Sequence, residues 1–410
     1  MKKILFFLFL FSQATCLSPA QAQVFTPEAG NIKIGVLQIH PSLSLEGSYS
    51  DNIYQNYGGL SPVSGYINTV SPAVKLKLPV AAHLFTAEAR GDVFLYSVDS
   101  ESNYVRRQAG AGAKFNFARG LDLAFSYDYT ASEIPRRARS GEETSGEEDY
   151  FRARPFQQNG AKGVLGFTFA DRWRAEGSYD YMNYRYNNQI DSFGNVDRAQ
   201  AGGKLFYRFT TRISALGEYQ YRTSAFPEAP EFENKTHFAF LGLSFDPAAK
   251  LSGELKAGYE SKRYDQKREG AKDSFNNLAL DVNLTQRFTQ FTSLKLLLNR
   301  TIREDLDSNA PYQENKGVLE FRYIWPRNER ISAALRGAYS TLIMEGATLD
   351  VDGLMKVRDD RRWEFGARFG YDLGRWLTLA LGYQYLSNTS NFTNYDYQEH
   401  RIFINLLASF

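Results

Sequence analysis

The sequence predicts an all-β protein, a transmembrane antiparallel up-and-down β-barrel of about 18 strands. Segments of about ten residues alternate apolar and polar side chains, as strands do when one face meets lipid. Short turns and longer polar loops join these segments in strict alternation. Aromatic residues make up 15% of the chain, with 31 Phe and 26 Tyr, and such a content is typical of barrels with aromatic girdles.

Residues 1–22 are predicted to be a cleaved secretory signal peptide. Lys2 and Lys3 precede an apolar run over residues 4–11, and Ala20 and Ala22 end the segment. The single cysteine, Cys16, lies inside it, so we expect no disulfide and no thiolate chemistry in the mature chain. Without the two lysines, the 48 basic side chains become 46, against 46 acidic ones. This balance gives no support for a nucleic-acid partner.

The remaining chain is predicted to be one domain, with a short periplasmic lead at residues 23–38 and an outer-membrane barrel at residues 39–410. In the first segment Leu43 and Leu45 alternate with Ser44 and Glu46. Eight short turns and nine longer loops separate eighteen such segments. An even number of strands predicts that both termini lie in the periplasm. No later apolar run reaches the roughly 18 residues that a membrane helix needs.

The final segment, residues 398–410, has the same pattern. His400, Ile402 and Ile404 share one face, and Arg401 and Asn405 lie on the other. The segment ends on Phe410, which resembles the C-terminal signature of bacterial outer-membrane barrels. That resemblance implies that Phe410 is an assembly signal read by the barrel assembly machinery.

Aromatic side chains mark both ends of the segments. Those near the short turns are Phe85, Phe117, Phe169, Trp173, Phe209, Phe245, Trp325, Trp376 and Phe410, and those at the opposite ends are Tyr49, Tyr129, Tyr181, Tyr221, Tyr259, Tyr339 and Tyr385. Two such belts are what the two membrane interfaces select. A soluble β-sandwich also alternates, but eighteen strands exceed one sandwich. The predicted location is therefore the bacterial outer membrane, where lipid would surround the barrel.

The face opposite the apolar one is predicted to line the lumen with charges of both signs. The lining residues are Lys75, Arg90, Asp92, Lys114, Arg174, Glu176, Arg222, Glu254, Lys256, Lys295, Glu320, Arg322, Arg336, Glu364, Arg368 and Arg401. They would interact with a polar solute in a wet conduit, or would merely satisfy one another across neighbouring strands. Their near balance argues against a strongly selective anion or cation pore.

The loop at residues 132–155 is the longest and most charged connection. It is a candidate gate, with the cations Arg136, Arg137 and Arg139 opposite the acids Glu142, Glu143, Glu147 and Glu148. The alternative is a disordered surface loop, which its low apolar content favours.

Nothing in the sequence points to catalysis, a metal or a cofactor. The four histidines are His40, His83, His237 and His400, and no two have metal-ligand spacing. No G-x-S-x-G elbow and no P-loop occurs. The pattern leaves open a lipid-facing Ser/His pair of the kind that outer-membrane lipases use, but the prediction is a protein that is not an enzyme.

The stretch at residues 34–54, I-G-V-L-Q-I-H-P-S-L-S-L-E-G-S-Y-S-D-N-I-Y, resembles the opening of a family of outer-membrane β-barrel porins. In that family an HPSLSL strand leads to an Asp-Asn-Ile/Val-aromatic motif, here Asp51 to Tyr54. Family members are commonly encoded among exopolysaccharide synthesis and export genes. The resemblance implies an eighteen-stranded exit for a polysaccharide. The chain lacks the helical-repeat region that some exporters fuse to their barrel, so a periplasmic polysaccharide export protein is an expected partner.

Three functions remain open at this point. The first is export of a secreted polysaccharide through a polar lumen. The second is general diffusion of small hydrophilic solutes, and the third is a plugged structural or adhesive barrel. Asp51 and Asn52 favour a turn in any of these, because such side chains bond nearby backbone. A Ca²⁺ contact is the sharper alternative for them, but no EF-hand-like spacing supports it.

Overall fold

The computed structural model describes residues 32–56, 60–134, 154–266, 272–304, 311–349, 354–392 and 395–410. It contains nineteen strands within these ranges. They are β1 (Ile32–Ile34), β2 (Leu37–Ser50), β3 (Gly65–Val80), β4 (His83–Tyr96), β5 (Tyr104–Asn116), β6 (Leu121–Ile134), β7 (Arg154–Phe169), β8 (Trp173–Tyr186), β9 (Val196–Arg208), β10 (Ile213–Ala225), β11 (Asn234–Phe245), β12 (Leu251–Tyr264), β13 (Ser274–Arg287), β14 (Thr292–Glu304), β15 (Pro311–Ile324), β16 (Ile331–Leu349), β17 (Met355–Asp372), β18 (Leu377–Ser390) and β19 (Tyr397–Ser409).

Strands β2 to β19 form a closed antiparallel barrel of eighteen strands, which confirms the predicted fold class. Each strand pairs with the next along the chain, and β19 pairs with β2 from Arg401↔Ser50 to Ser409↔Ser42. Strand β1 only extends β2 as a short hairpin. Among the described residues, no helix is long and apolar enough to cross a membrane.

The two faces of the wall have an inside-out distribution of polarity. Leu241, Leu278 and Ile402 are 76%, 62% and 61% exposed, whereas Asp92 and Glu260 are fully buried. In water this arrangement would be costly, but in a bilayer the apolar face meets acyl chains. The alternation of the sequence therefore separates a lipid face from a lumen face.

Aromatic rings gather at both ends of the lipid face. At the end with the longer loops, Tyr49 packs on Tyr66, with ring centroids 5.2 Å apart. At the end with the short turns, Trp376 stacks on Phe410 at 5.5 Å. Rings that are apolar at one end and polar at the other suit the two membrane interfaces.

Several strands are longer than the sequence pattern indicated. Strand β2 begins at Leu37, two residues before the predicted start of the barrel. The ends of the predicted loop at residues 132–155 belong to β6 and β7, and its remaining residues, 135–153, lie outside the described ranges. The sequence pattern predicts one of the longer loops over residues 344–360, but this is wrong, because β16 and β17 continue through most of that stretch. Between the pairs Ile343↔Asp359 and Ala347↔Val357, β16 has two residues more than β17, and this bulge interrupts the regular pattern of the strand.

Candidate functional site: the barrel lumen

Antiparallel register decides which side chains meet inside the barrel. Residues directly opposite on neighbouring strands point to the same face, so lumen charges form rows around the wall. Most of the predicted lining residues have an oppositely charged neighbour in such a row.

Asp92 is the centre of the first row. It lies on β4, and its fully buried carboxylate accepts from the Nε of Arg90 at 2.7 Å and from the Nε of Arg106 on β5 at 2.8 Å. Next to it, Lys75 and Glu88 form a looser pair at 3.9 Å, about half exposed to the lumen. Arg106 was missed from the sequence because Arg107 follows it, so the alternation does not say which of the two points inward.

Arg174 connects its own strand, β8, with β6 across the intervening β7. Its Nη1 and Nη2 donate to Asp122 on β6 at 2.7 and 3.1 Å, and its Nε donates to Glu176 at 2.8 Å. Gly166 of β7 lies between them, and a Cβ there would come within 2.2 Å of Arg174 Nη2. The missing side chain leaves the space in which the guanidinium crosses β7.

Lys256 on β12 joins a second bridging group. Its Nζ lies 2.9 Å from Glu218 of β10 and 2.7 Å from Asp281 of β13. Lys204 of β9 reaches Glu218 at 3.6 Å and Glu254 at 3.2 Å. Two ammonium groups and three carboxylates thus alternate along the wall.

The other predicted lining residues lie on the same face. Arg336 pairs with Glu364 at 2.9 Å, Arg401 with Glu399 at 2.7 Å, and Arg322 with Glu320. Two arginines bond amides, with Arg222 donating to Gln200 at 2.8 Å and Arg368 to Asn405 at 3.4 Å. Lys295 lies opposite Glu320, and Lys114 opposite Ala124. Together these groups make a hydrated wall with hydrogen-bonding groups of both signs and no dominant charge.

A further group of buried charges lies at the mouth with the longer loops and was not predicted as a unit. Glu304 at the end of β14 contacts Lys262 of β12, accepts from Asn234 Nδ2 of β11 at 3.1 Å, and lies 3.8 Å from Arg198 of β9. We call Glu304, Lys262, Asn234, Arg198 and Glu260 the Glu304 cluster. Arg300 and Glu304 both fall on the lipid-facing alternation of β14, so their charges were the signals in the sequence that this strand leaves the wall.

Aromatic clusters also cover the mouth at the ends of the longer loops. Ile53 and Tyr54 pack on Ile67 and Phe94, all less than 10% exposed. On the other side, a larger cluster contains Phe156, Tyr184, Tyr186, Val196, Phe226 and Ala229. Loop residues thus pack on lumen-facing side chains at two places on the rim.

The remaining predicted site residues have the following positions. Arg136, Arg137, Arg139, Glu142, Glu143, Glu147 and Glu148 lie outside the described residues. The Phe410 backbone N–H donates to Pro41 O at 2.9 Å, which ties the final residue to β2. His237 and His400 face outward and bond Tyr219 and Tyr383. In the described part of the chain, no three His, Cys, Asp or Glu side chains are grouped as a metal site would require.

A cavity of about 570 Å³ lies on the outside of the wall, so it is not part of this pathway. It is lined mainly by lipid-facing residues of β14 to β18, among them Leu298, Tyr339, Trp363 and Phe365. The aromatic contact between Tyr339 and Trp363, at 4.4 Å, forms one side.

An eighteen-stranded barrel with an apolar outer face and a polar lumen defines the class of outer-membrane β-barrel channels. Residues 27–410 match a family described as "Putative beta-barrel porin 2", and the chain belongs to this family. The protein is therefore located in the bacterial outer membrane.

Solved structures with similar folds include two porin-sized barrels and a larger receptor. OccK2 (OpdF) from Pseudomonas aeruginosa is 11% identical, with a TM-score of 0.45 over 90% of this chain and 98% of its own. OpdK with vanillate, from the same organism, is 12% identical, with a TM-score of 0.43 over 91% and 99%. The siderophore receptor PirA from P. aeruginosa is 9% identical, with a TM-score of 0.44 over 91% and 80%. No curated protein matches the sequence significantly.

Proposed function

We propose that this protein is a passive conduit for a hydrophilic polymer, and that the polymer is a secreted polysaccharide. The observation that carries the proposal is the internal compensation of the lumen charges. Asp92 lies between two guanidinium groups, while Arg174 and Lys256 each lie between two carboxylates. A solute would therefore meet donors and acceptors around the wall, but no strong field of one sign.

Such a wall suits sugars for a simple chemical reason. Sugar hydroxyls both donate and accept hydrogen bonds, so they can bond to either member of an ion pair. Because each pair is already satisfied, every contact with the solute is weak and easily exchanged, and conduction requires that a solute can leave as well as bind. Transport of this kind makes and breaks no covalent bond, so the proposed function is not enzymatic.

The direction of transport and the partner follow from the resemblance of residues 34–54. Barrels with that motif are commonly encoded with exopolysaccharide genes, which favours export. A separate periplasmic export protein would then deliver the polymer to the inner mouth, and the lipid of the outer membrane would surround the wall.

Two other functions have specific support. General diffusion of small hydrophilic solutes is favoured by the description of the family as porins. A plugged structural or adhesive barrel is favoured by the aromatic clusters and the Glu304 cluster at the mouth with the longer loops. Each of these two functions predicts a single-channel current that differs from the one expected of a polymer conduit.

The test is single-channel recording of the refolded protein in planar bilayers, with neutral oligosaccharides of increasing length. We expect open currents that longer oligosaccharides interrupt reversibly, for times that grow with chain length. Steady currents that no oligosaccharide interrupts would support the porin and contradict the polymer. A silent protein would support the plugged barrel. A variant that lacks residues 136–148 tests the candidate gate. Currents that appear only after this deletion would assign gating to that loop.

A further inference from the structure

The barrel wall splits between β13 and β14 at the mouth with the longer loops. Their ladder ends at Leu280↔Arg300, although β13 extends outward to Ser274 and β14 extends to Glu304. Beyond that point β13 remains paired with β12, and β14 remains paired with β15. Strand β15 in turn stays paired with β16 out to Tyr312↔Met344, so the free edge is that of β14 alone.

The outer end of β14 turns inward, because its lipid-facing residues contact the lumen face of the neighbouring strands. In its alternation these residues are Leu294, Leu296, Leu298, Arg300, Ile302 and Glu304. Ile302 is only 3% exposed and packs with Tyr264 and Phe275, which point into the lumen from β12 and β13. Arg300 Nε donates to Asn277 Oδ1 of β13 at 3.1 Å. The end of β14 thus lies inside the barrel, against its inner surface.

The Glu304 cluster holds this end in place. In a regular wall β14 and β11 would be about 14 Å apart, three strand spacings, yet the Glu304 carboxylate accepts from Asn234 Nδ2 at 3.1 Å. Lys262 and Arg198 supply the positive charge. The contacts are shielded from water, since Lys262 and Asn234 are each 2% exposed.

The carboxylate of Glu260 takes the place of a backbone partner that β14 loses where it separates from β13. Glu260 Oε2 accepts from the Ile302 backbone N–H at 2.9 Å, and its Oε1 accepts from Thr301 Oγ1 at 3.2 Å. Glu260 lies on β12, two strands away from β14. A fully buried carboxylate that binds a displaced strand in this way indicates a defined position for that strand.

We propose that the inserted end of β14 is the constriction of the pore, and that the Glu304 cluster keeps it in the lumen. On the lumen side of this end, the partly exposed Arg303 pairs with the buried carboxylate of Glu314 at 2.5 Å. The Arg303 guanidinium is then the group that a passing solute contacts at the narrowest level. The proposal rests on the proposed channel function, but the position of the strand can be tested without it.

The position of β14 is tested by cross-linking of cysteine pairs in intact outer membranes with a short bis-thiol reagent. The pair Tyr264→Cys and Ile302→Cys is expected to cross-link, since the two side chains belong to one buried cluster. The matched control is Tyr264→Cys with Leu298→Cys. Leu298 lies on the same face of β14 as Ile302, four residues earlier, where β14 is still paired with β13. Absence of the first cross-link, or equal cross-linking of the control, would overturn the inserted position.

Constriction is tested by single-channel conductance of Glu304→Gln. We expect a rise of about two-fold or frequent large openings, because the cluster loses the charge that holds the end of β14 in the pore. The matched control is Asp265→Asn, which removes an exposed carboxylate paired with Lys235 on the outward face of β11 and should leave conductance unchanged. Heat-modifiable migration in gels confirms that both variants are folded barrels.

The outcomes separate this proposal from the proposed function. A conducting wild type with unchanged Glu304→Gln would overturn the constriction and leave the channel intact. A silent wild type would contradict the channel as proposed. In that case a current in Glu304→Gln would still support the constriction, and silence in both would overturn it.

Discussion

A single buried carboxylate in the lumen holds two arginines on adjacent strands. Asp92 is fully buried, whereas the lumen pair Lys75–Glu88 is about half exposed to water. We expect Asp92→Asn to lower the free energy of unfolding by about 3 kcal/mol, because it leaves Arg90 and Arg106 without their counter-charge. The control Glu88→Gln should lower it by about 1 kcal/mol at most. Urea unfolding in lipid vesicles measures both, and equal effects would contradict the difference in burial.

The space above Gly166 decides whether Arg174 can bridge β6 and β8. The Cβ of Gly166→Ala would lie 2.2 Å from Arg174 Nη2 and 2.8 Å from Asp122 Oδ1, so the guanidinium must move and lose its bidentate contact. We expect a loss of about 1–3 kcal/mol in the free energy of unfolding. Gly177→Ala on β8 is the control, since its Cβ would meet nothing within 4 Å. If both variants unfold at the same urea concentration, the bridge does not depend on this space.

At the scale of elements, the seam between the first and last barrel strands is tied by the Asp-Asn motif. Asp51 Oδ1 accepts from the His400 N–H at 2.7 Å, and Asn52 Nδ2 donates to Gln398 O at 2.9 Å and to Asn56 O at 3.0 Å. The motif therefore does more than turn the chain, because it also closes the barrel at the rim with the longer loops.

Replacement of the buried amide should weaken this seam. Asn52 is 2% exposed, so Asn52→Ala leaves backbone carbonyls of β19 and of the loop without a donor. We expect a cost of about 2–3 kcal/mol, the penalty for unsatisfied buried groups. Asn116→Ala, which loses one exposed bond to Ala82 O, should cost less than about 1 kcal/mol. Thermal midpoints from heat-modifiable gel migration give the comparison. An unaltered midpoint for Asn52→Ala would contradict a role in closure.

The alternation of side chains predicts some strands of the barrel correctly and fails for others. Alternation in β19 and β12 predicts which side chains face lipid, because one face of every strand has only lipid to meet. It cannot predict the bulge after Ile343, where β16 has two residues more than β17 between successive pairs. Nor does it place Arg300 and Glu304, since the tertiary contact with Asn277 and Lys262 overrides the face that the period assigns. The partners of Arg174 depend on a bridge across β7, which no local pattern encodes.

Over the whole molecule, opposite charges are distributed around the lumen rather than divided between two sides. Positive and negative groups alternate in the rows of Asp92, Arg174 and Lys256, and each row joins residues of at least two strands. A pore with separated charges would impose a transverse field on its solute. This one presents nearly neutral surfaces, which is why its selectivity should depend on size and hydrogen bonding.

Ion selectivity measures this property of the whole lumen directly. We expect a reversal potential close to zero in a KCl gradient, because compensated charges attract neither ion strongly. The double variant Arg174→Gln and Arg336→Gln leaves Asp122, Glu176 and Glu364 without their partners, so the potential should shift toward that of K⁺. Lys235→Gln, which removes a cation from the outward face of β11, should cause no shift. A strongly ion-selective wild type would show instead that one sign dominates the path, and the neutral-polymer proposal would then give way to transport of a charged solute.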